Sequence, residues 1–186
     1  MATVVTREAY YETGLDVLSD LGYGGLKLAE VCNRLGVTTG SFYHYFENWS
    51  AYTSELVLYW RQTRTQQMVE KVLTEAEPRE RIDAIIEIGL ALPHGAEAAF
   101  RSWSSVNPVV AEVQGFVDRQ RFEILRDSAL ELLDGERQAQ LFASWAMYLL
   151  VGYEQSMLPR DPEGLAWIAT QLTDALDSGR FDTAPE

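Results

Sequence analysis

The sequence predicts an all-α protein of about nine helices, in a small N-terminal part and a larger C-terminal part. Three observations carry that prediction. Apolar residues recur at three- and four-residue spacing along most of the chain. No stretch alternates Val, Ile, Thr and Tyr between Asn-Gly or Asp-Gly turns, as half-buried strands would. The Gly, Pro and Asp-Pro punctuation reads throughout as helix boundaries.

A first helix runs from about Arg7 to Leu21, with Tyr11, Leu15, Leu18 and Leu21 on one face, and GYGG at 22–25 stops it. A short second helix carries Leu28, Val31, Cys32 and Leu35 and ends at Gly36. A third starts near Val37 and reaches Tyr45 or Phe46. From 49 to 76 neither Gly nor Pro interrupts the chain, so a single helix on the order of 40 Å fits there, with Tyr52, Leu56, Tyr59, Trp60 and Leu73 facing inward. Pro78 opens a helix bearing Ile82, Ile85 and Ile86 that stops before Pro93, and a short piece bears Phe100 and Trp103. Asn107 and Pro108 give an N-cap and N1 proline for a long helix ending at Gly135, with Gly115 inside it. Residues 136–158 are apolar around most of their circumference, and Asp161-Pro162 starts a last helix that Gly179 stops. The tail RFDTAPE reads as loose.

Composition narrows the function classes. The chain has 186 residues, 47% hydrophobic and 23% charged, as expected of a folded globular protein. One cysteine, Cys32, excludes an internal disulfide and suits a reducing compartment; beside two His it is too little for a zinc site. No apolar run approaches the roughly 18 residues of a membrane span, and no secretory signal is visible, so the expectation is a soluble cytoplasmic protein without a cofactor. An enzyme would need a nucleophile, a base and an orienting group. His44 and His94 are the only histidines, the carboxylates are spaced as solvated helix faces, and no phosphate-cradling glycine loop is present. The net charge is −13, of which residues 1–50 carry −3, from Arg7, Lys27 and Arg34 against six acids.

Two short helices joined by a tight glycine turn are the pattern of a helix-turn-helix, whose second helix enters the DNA major groove. A helix approaches base edges closely only where its leading residues are small, as Thr38, Thr39, Gly40 and Ser41 are. Tyr43 and His44 have the reach to donate to phosphate oxygens, while Phe42 and Phe46, four apart, anchor the opposite face. The stretch GGLKLAEVCNRLGVTTGSFYHYFENWSAY resembles the N-terminal DNA-binding domain of the tetracycline-repressor (TetR) family. Leu28, Val31, Gly36, Val37, Thr38, Gly40, Phe42, Tyr43, Tyr45 and Phe46 fall in register with that pattern. The resemblance implies a homodimeric, one-component transcriptional regulator, by family habit a repressor. It implies a DNA-binding domain at 1–48, and at 49–186 a domain that binds a small effector and dimerises through its last two helices. Three departures stand out. Glu47 replaces a base, Trp49 replaces a phosphate-holding Lys, and Lys27 replaces the usual Thr N-cap of the second helix. Lys27, Thr38, Thr39, Gly40, Ser41, Tyr43, His44 and Trp49 are thus the expected contacts to a palindromic double-stranded operator.

In the C-terminal part, Trp60, Met68, Phe100, Trp103, Phe116, Phe122, Met147 and Tyr148 are the candidates to line a largely apolar effector pocket, against the plainer reading that most are core. Phe142, Trp145, Leu149 and Gly152 on the penultimate helix, and Leu165, Trp167, Ile168 and Leu172 on the last, are the candidate dimer interface. The acidic balance keeps a competing reading open: a dimeric ligand- or protein-binding module of the same fold with weak or lost DNA binding.

Overall fold

The computed structural model describes residues 5–63, 69–70, 72, 74 and 77–183. The described residues form nine α-helices and no strand: α1 (Arg7–Gly25), α2 (Leu28–Leu35), α3 (Thr39–Phe42), α4 (Trp49–Arg61), α5 (Pro78–Leu90), α6 (His94–Ser104), α7 (Pro108–Leu130), α8 (Glu136–Gln155) and α9 (Pro162–Asp177). A 3₁₀ turn, Arg180–Thr183, follows. The part of the expected 49–76 helix that holds Met68 and Leu73 lies outside the described residues.

The boundaries follow local chemistry. Thr6, Asn48 and Asp161 each accept a backbone N–H at the start of α1, α4 and α9. Gly36 closes α2 in the left-handed region at φ +67°, a conformation an L side chain resists. Other expectations shift. The helical backbone of α1 breaks at Gly22 (φ +66°) before the turn to Gly25, and Leu21, expected inward, is exposed. The third helix has four residues instead of eight or more, because the chain tightens after Phe42 into turns in which Tyr45 N–H donates to the Phe42 carbonyl. The tail is ordered through Phe181, whose ring packs edge-on to Phe142 at 5.5 Å.

The chain divides into two packing units, residues 1–64 with 93–115, and residues 65–92 with 116–186. In the first, α1 packs along α6 and against α2 and α4. Gly95 permits the closest approach: a Cβ there would lie 2.5 Å from both the Ser19 carbonyl oxygen and its Oγ. Four rings stack through this unit, from Tyr23 to Trp103 (4.8 Å), Phe100 (5.9 Å) and Trp60 (4.1 Å). Trp60 Nε1 donates to the fully buried Glu97 carboxylate at 3.0 Å. The second unit gathers Ile82 and Ile85 of α5, Leu125 and Ala129 of α7, Phe142 and Ala143 of α8, and Leu172 and Leu176 of α9 into one core. No helix of the described residues is long and apolar enough to cross a membrane.

Replacing Gly95 with alanine drives a methyl group into rigid backbone, since the obstructing carbonyl belongs to a helix. Chemical denaturation is expected to show Gly95→Ala destabilised by about 2 kcal/mol; a neutral result would contradict the packing of α1 on α6.

Candidate nucleic-acid interface and ligand cavity

α2, the Gly36 turn and α3 set Thr38, Thr39 and Gly40 at an exposed corner of the first unit, with Ser41 half-buried. Thr38 is the N-cap of α3, its hydroxyl accepting Ser41 N–H at 3.2 Å. Tyr43 is 56% exposed and His44 is exposed beside it. Lys27 stands exposed at the start of α2 and gives that helix no side-chain cap. Trp49 is half-buried, its ring against Tyr52 at 4.9 Å and Phe42 at 5.9 Å, so its first role is packing.

The turn is held from behind by rings. Phe42 and Phe46 are buried and meet Tyr10 edge-on at 5.7 and 5.4 Å, and Tyr52 at 5.5 and 5.0 Å. Tyr52 donates its hydroxyl to the Tyr10 carbonyl at 2.8 Å, and burial pushes its ionisation well above the ordinary tyrosine range. Tyr45 donates to the Val5 carbonyl. Arg7, which composition alone shows only as a base, closes the far end. It donates to the Tyr45 carbonyl at 2.6 Å, lies 4.7 Å above the Phe46 ring and pairs with Glu55 on α4. Arg34 pairs with Glu30 and Asp20. Of the three bases before residue 50, Lys27 alone forms no ion pair among the described residues. Cys32 is buried, and burial raises its thiol pKa, so it is not poised as a thiolate.

The second unit contains a partly open apolar cavity of about 70 Å³. Ile85, Ile86, Gly89 and Leu90 of α5, Arg121 and Leu125 of α7, Met147, Leu149 and Leu150 of α8, and Leu165, Ala169 and Leu172 of α9 form most of its wall. Of the residues expected at a pocket, Met147 lines it. Trp60, Phe100 and Trp103 build the ring stack of the first unit. Phe122 packs beside the core of the second unit, Phe116 is exposed, and Tyr148 is 74% exposed on an open groove between α8 and α9. Sequence favoured aromatics because they dominate cores and pockets alike; the cavity instead sits among aliphatic positions, and no sequence periodicity distinguishes those from ordinary core. Of the expected interface, Phe142, Leu165 and Leu172 point into their own unit, while Trp145, Gly152, Trp167 and Ile168 are exposed and Leu149 lines both cavity and groove. Among the described residues no cluster of His, Cys, Asp and Glu could hold a metal ion.

The Arg7–Glu55–Tyr11 group gives the clamp a pH dependence. Partial burial acts to raise the Glu55 pKa, but hydrogen bonds from Tyr11 and Arg7 outweigh it and hold it below the ordinary 4.5. A carboxylate with a lowered folded pKa contributes stability above its unfolded pKa and loses it as pH falls through the folded value. Glu55→Gln is therefore expected to be less stable than the parent at pH 7, by under about 1 kcal/mol because the pair is solvent-screened. In acid-titrated thermal melts that gap should close as the pH falls through the lowered Glu55 pKa, below the ordinary 4.5; a gap independent of pH would refute the assignment.

Residues 11–49 match the sequence pattern of "Bacterial regulatory proteins, tetR family". A search of curated protein sequences finds no match. Among solved structures, a candidate transcriptional regulator from Saccharomonospora viridis in complex with choline has a TM-score of 0.72 at 15% identity, over 92% of this chain and 95% of that one. FadR from Bacillus subtilis, a transcriptional regulator in complex with stearoyl-CoA, has a TM-score of 0.68 at 16% identity, over 94% and 99%. AibR, in complex with isovaleryl coenzyme A and operator DNA, has 0.65 at 16% identity, over 89% and 96%. At such identities the likeness is one of fold. The chain thus carries, at residues 11–49, the sequence pattern of the tetR regulatory proteins, on a helical fold similar to that of solved transcriptional regulators.

Proposed function

We propose that the protein is a cytoplasmic repressor that binds a palindromic operator as a homodimer and is released by a small, largely apolar effector. The observation that carries the DNA half is the exposed Thr38–His44 turn, clamped from behind by Tyr10, Phe42, Phe46 and Tyr52. A segment presented in this way can enter a groove with small side chains leading and Tyr43 and His44 beside the phosphates. That AibR carries operator DNA and FadR an acyl-CoA agrees with both halves of the reading. The functional division is residues 1–48 for DNA and 49–186 for effector and partner.

The dimer is proposed to form through the exposed rings of α8 and α9. Tyr148 and Trp167 are 74% and 66% exposed, with Trp145 and Ile168 beside them and the open Cα surface of Gly152 allowing close approach. Such a patch is unusual on a monomer's surface. Release is proposed to act through the chain itself, which passes between the two packing units at residues 64–65, 92–93 and 115–116. An effector that binds one arrangement better changes the separation of the paired recognition turns, and so operator affinity.

The competing module without operator affinity is favoured by one observation, the internal pairing of Arg7 and Arg34. Selection of bound fragments from the source organism's genomic DNA, at low and moderate salt, separates the two readings. A palindromic site is expected; a folded dimer that recovers none at either salt supports the module. With Lys27 the one N-terminal base outside an ion pair, the dependence of log affinity on log salt should have a slope of only about −2 to −4 per dimer. A slope near −8 would show that phosphate neutralisation dominates after all. The double variant Tyr148→Glu, Trp167→Glu should sediment as a folded monomer and lose operator binding at least about tenfold, since a dimer reads two half-sites. A persisting dimer would move the interface elsewhere.

A further inference from the structure

We infer that Leu149 and Leu165 form a shared wall between the apolar cavity of the second unit and the dimer face, so that a cavity ligand and a second copy of this chain tighten each other's binding. The inference rests on the proposed effector and dimer sites and adds a coupling between them.

Two features of the second unit meet at these residues. The cavity lies among α5, α7, α8 and α9, and its lining is almost wholly apolar. The open groove between α8 and α9 runs past Tyr148, Gly152 and Ile168, on the proposed dimer face. Among the described residues, Leu149 of α8 and Leu165 of α9 are the two that line both. Neither is a surface side chain: Leu165 is 7% exposed and Leu149 half-buried. The groove suits a second copy. Its rim carries a base and an acid in succession, Arg160 and Asp161, and a two-fold contact pairs such a rim with itself, each residue meeting the other's counterpart.

A side chain packed on every side is held in one rotamer, whereas one bordering open space on two sides lacks partner atoms there. Leucine is unbranched at Cβ and keeps more freedom at χ1 than valine or isoleucine. In a single chain without ligand the wall is therefore soft. An occupant on either side supplies contacts that fix both leucines, and the next occupant meets a wall already ordered. The rotamer freedom of two leucines, lost once instead of twice, is worth about fivefold in affinity.

The test is calorimetric titration of the full chain with benzene, an uncharged probe of apolar cavities. It is run on the parent where it sediments as a dimer and on the variant Tyr148→Glu, Trp167→Glu. Benzene is expected to bind the dimer about fivefold more tightly than the monomeric variant. With two cavities per dimer, reciprocity makes saturating benzene tighten the dimer dissociation constant by the square of that factor, about 25-fold. Should the variant fail to fold, dilution of the parent below its dissociation constant supplies the monomer. Methyl NMR locates the effect. The Leu149 and Leu165 methyls should pass from averaged to fixed rotamers on adding benzene or on dimerisation, whereas Leu125 and Leu172, which line the cavity but not the groove, should answer to benzene alone. Equal benzene affinity for dimer and monomer, a dimer loosened by benzene, or Leu149 and Leu165 methyls that respond to one occupant only would overturn the coupling and leave both sites standing. Failure of benzene to bind either form would overturn the effector reading, and a parent that sediments as a monomer the interface reading, each taking the coupling with it.

Discussion

The Thr38–His44 segment cannot hold its own shape, and much of the first unit is arranged around that constraint. Four residues of helix and three of turn make too few backbone hydrogen bonds to offset the cost of helix nucleation. What orders them is tertiary: Phe42 and Phe46 buried between Tyr10 and Tyr52, with Tyr45 tied to Val5 and capped by Arg7. Edge-to-face ring pairs contribute about 0.5–1.5 kcal/mol each beyond burial, so several such pairs suffice to order a segment this short. The aromatic density of SFYHYF is then a structural requirement of brevity. The polar residues before it are left exposed because the rings behind them carry the packing.

The same arrangement accounts for the charge. Arg7 and Arg34 hold α1, α2 and α4 in place, and each is drawn to acids within its own unit. A base held in an internal ion pair must break it before it neutralises a phosphate, so a basic count overstates the electrostatic part of DNA binding. What remains at the corner, apart from Lys27, is a set of hydroxyls, an imidazole, a phenol and backbone N–H groups. Such donors position a protein on phosphates through hydrogen bonds, which are short-ranged and depend on accurate placement. On the proposed operator-binding reading, an acidic N-terminal unit therefore needs the rigid clamp more than a basic one would.

Much of this was legible in the sequence, unevenly. The all-α class, the Gly36 turn and the Asp161-Pro162 start follow from local chemistry, which acts over three or four residues and leaves its mark in the letters. The length of α3 did not, because its end is set by rings from α1 and α4 that no local window contains. Phe181 reads as tail for the same reason: its partner Phe142 is far away in the chain. The cavity was the least legible. A void is a failure of side chains on four helices to meet, and no single helix records it. Arg121, a base on a helix with a mixed face, reads as surface until its burial is seen.

The small cavity bears on how strongly any occupant could act. A ligand shifts a conformational equilibrium only by the difference in its affinity for the two states. Burying a five-carbon occupant, for example, gives at most about 4 kcal/mol at roughly 0.8 kcal/mol per methylene, before the cost of immobilising the ligand. An allosteric coupling of about 1–3 kcal/mol would then consume most of the apolar term. A purely hydrocarbon effector of that size would thus have to bind almost exclusively to one state.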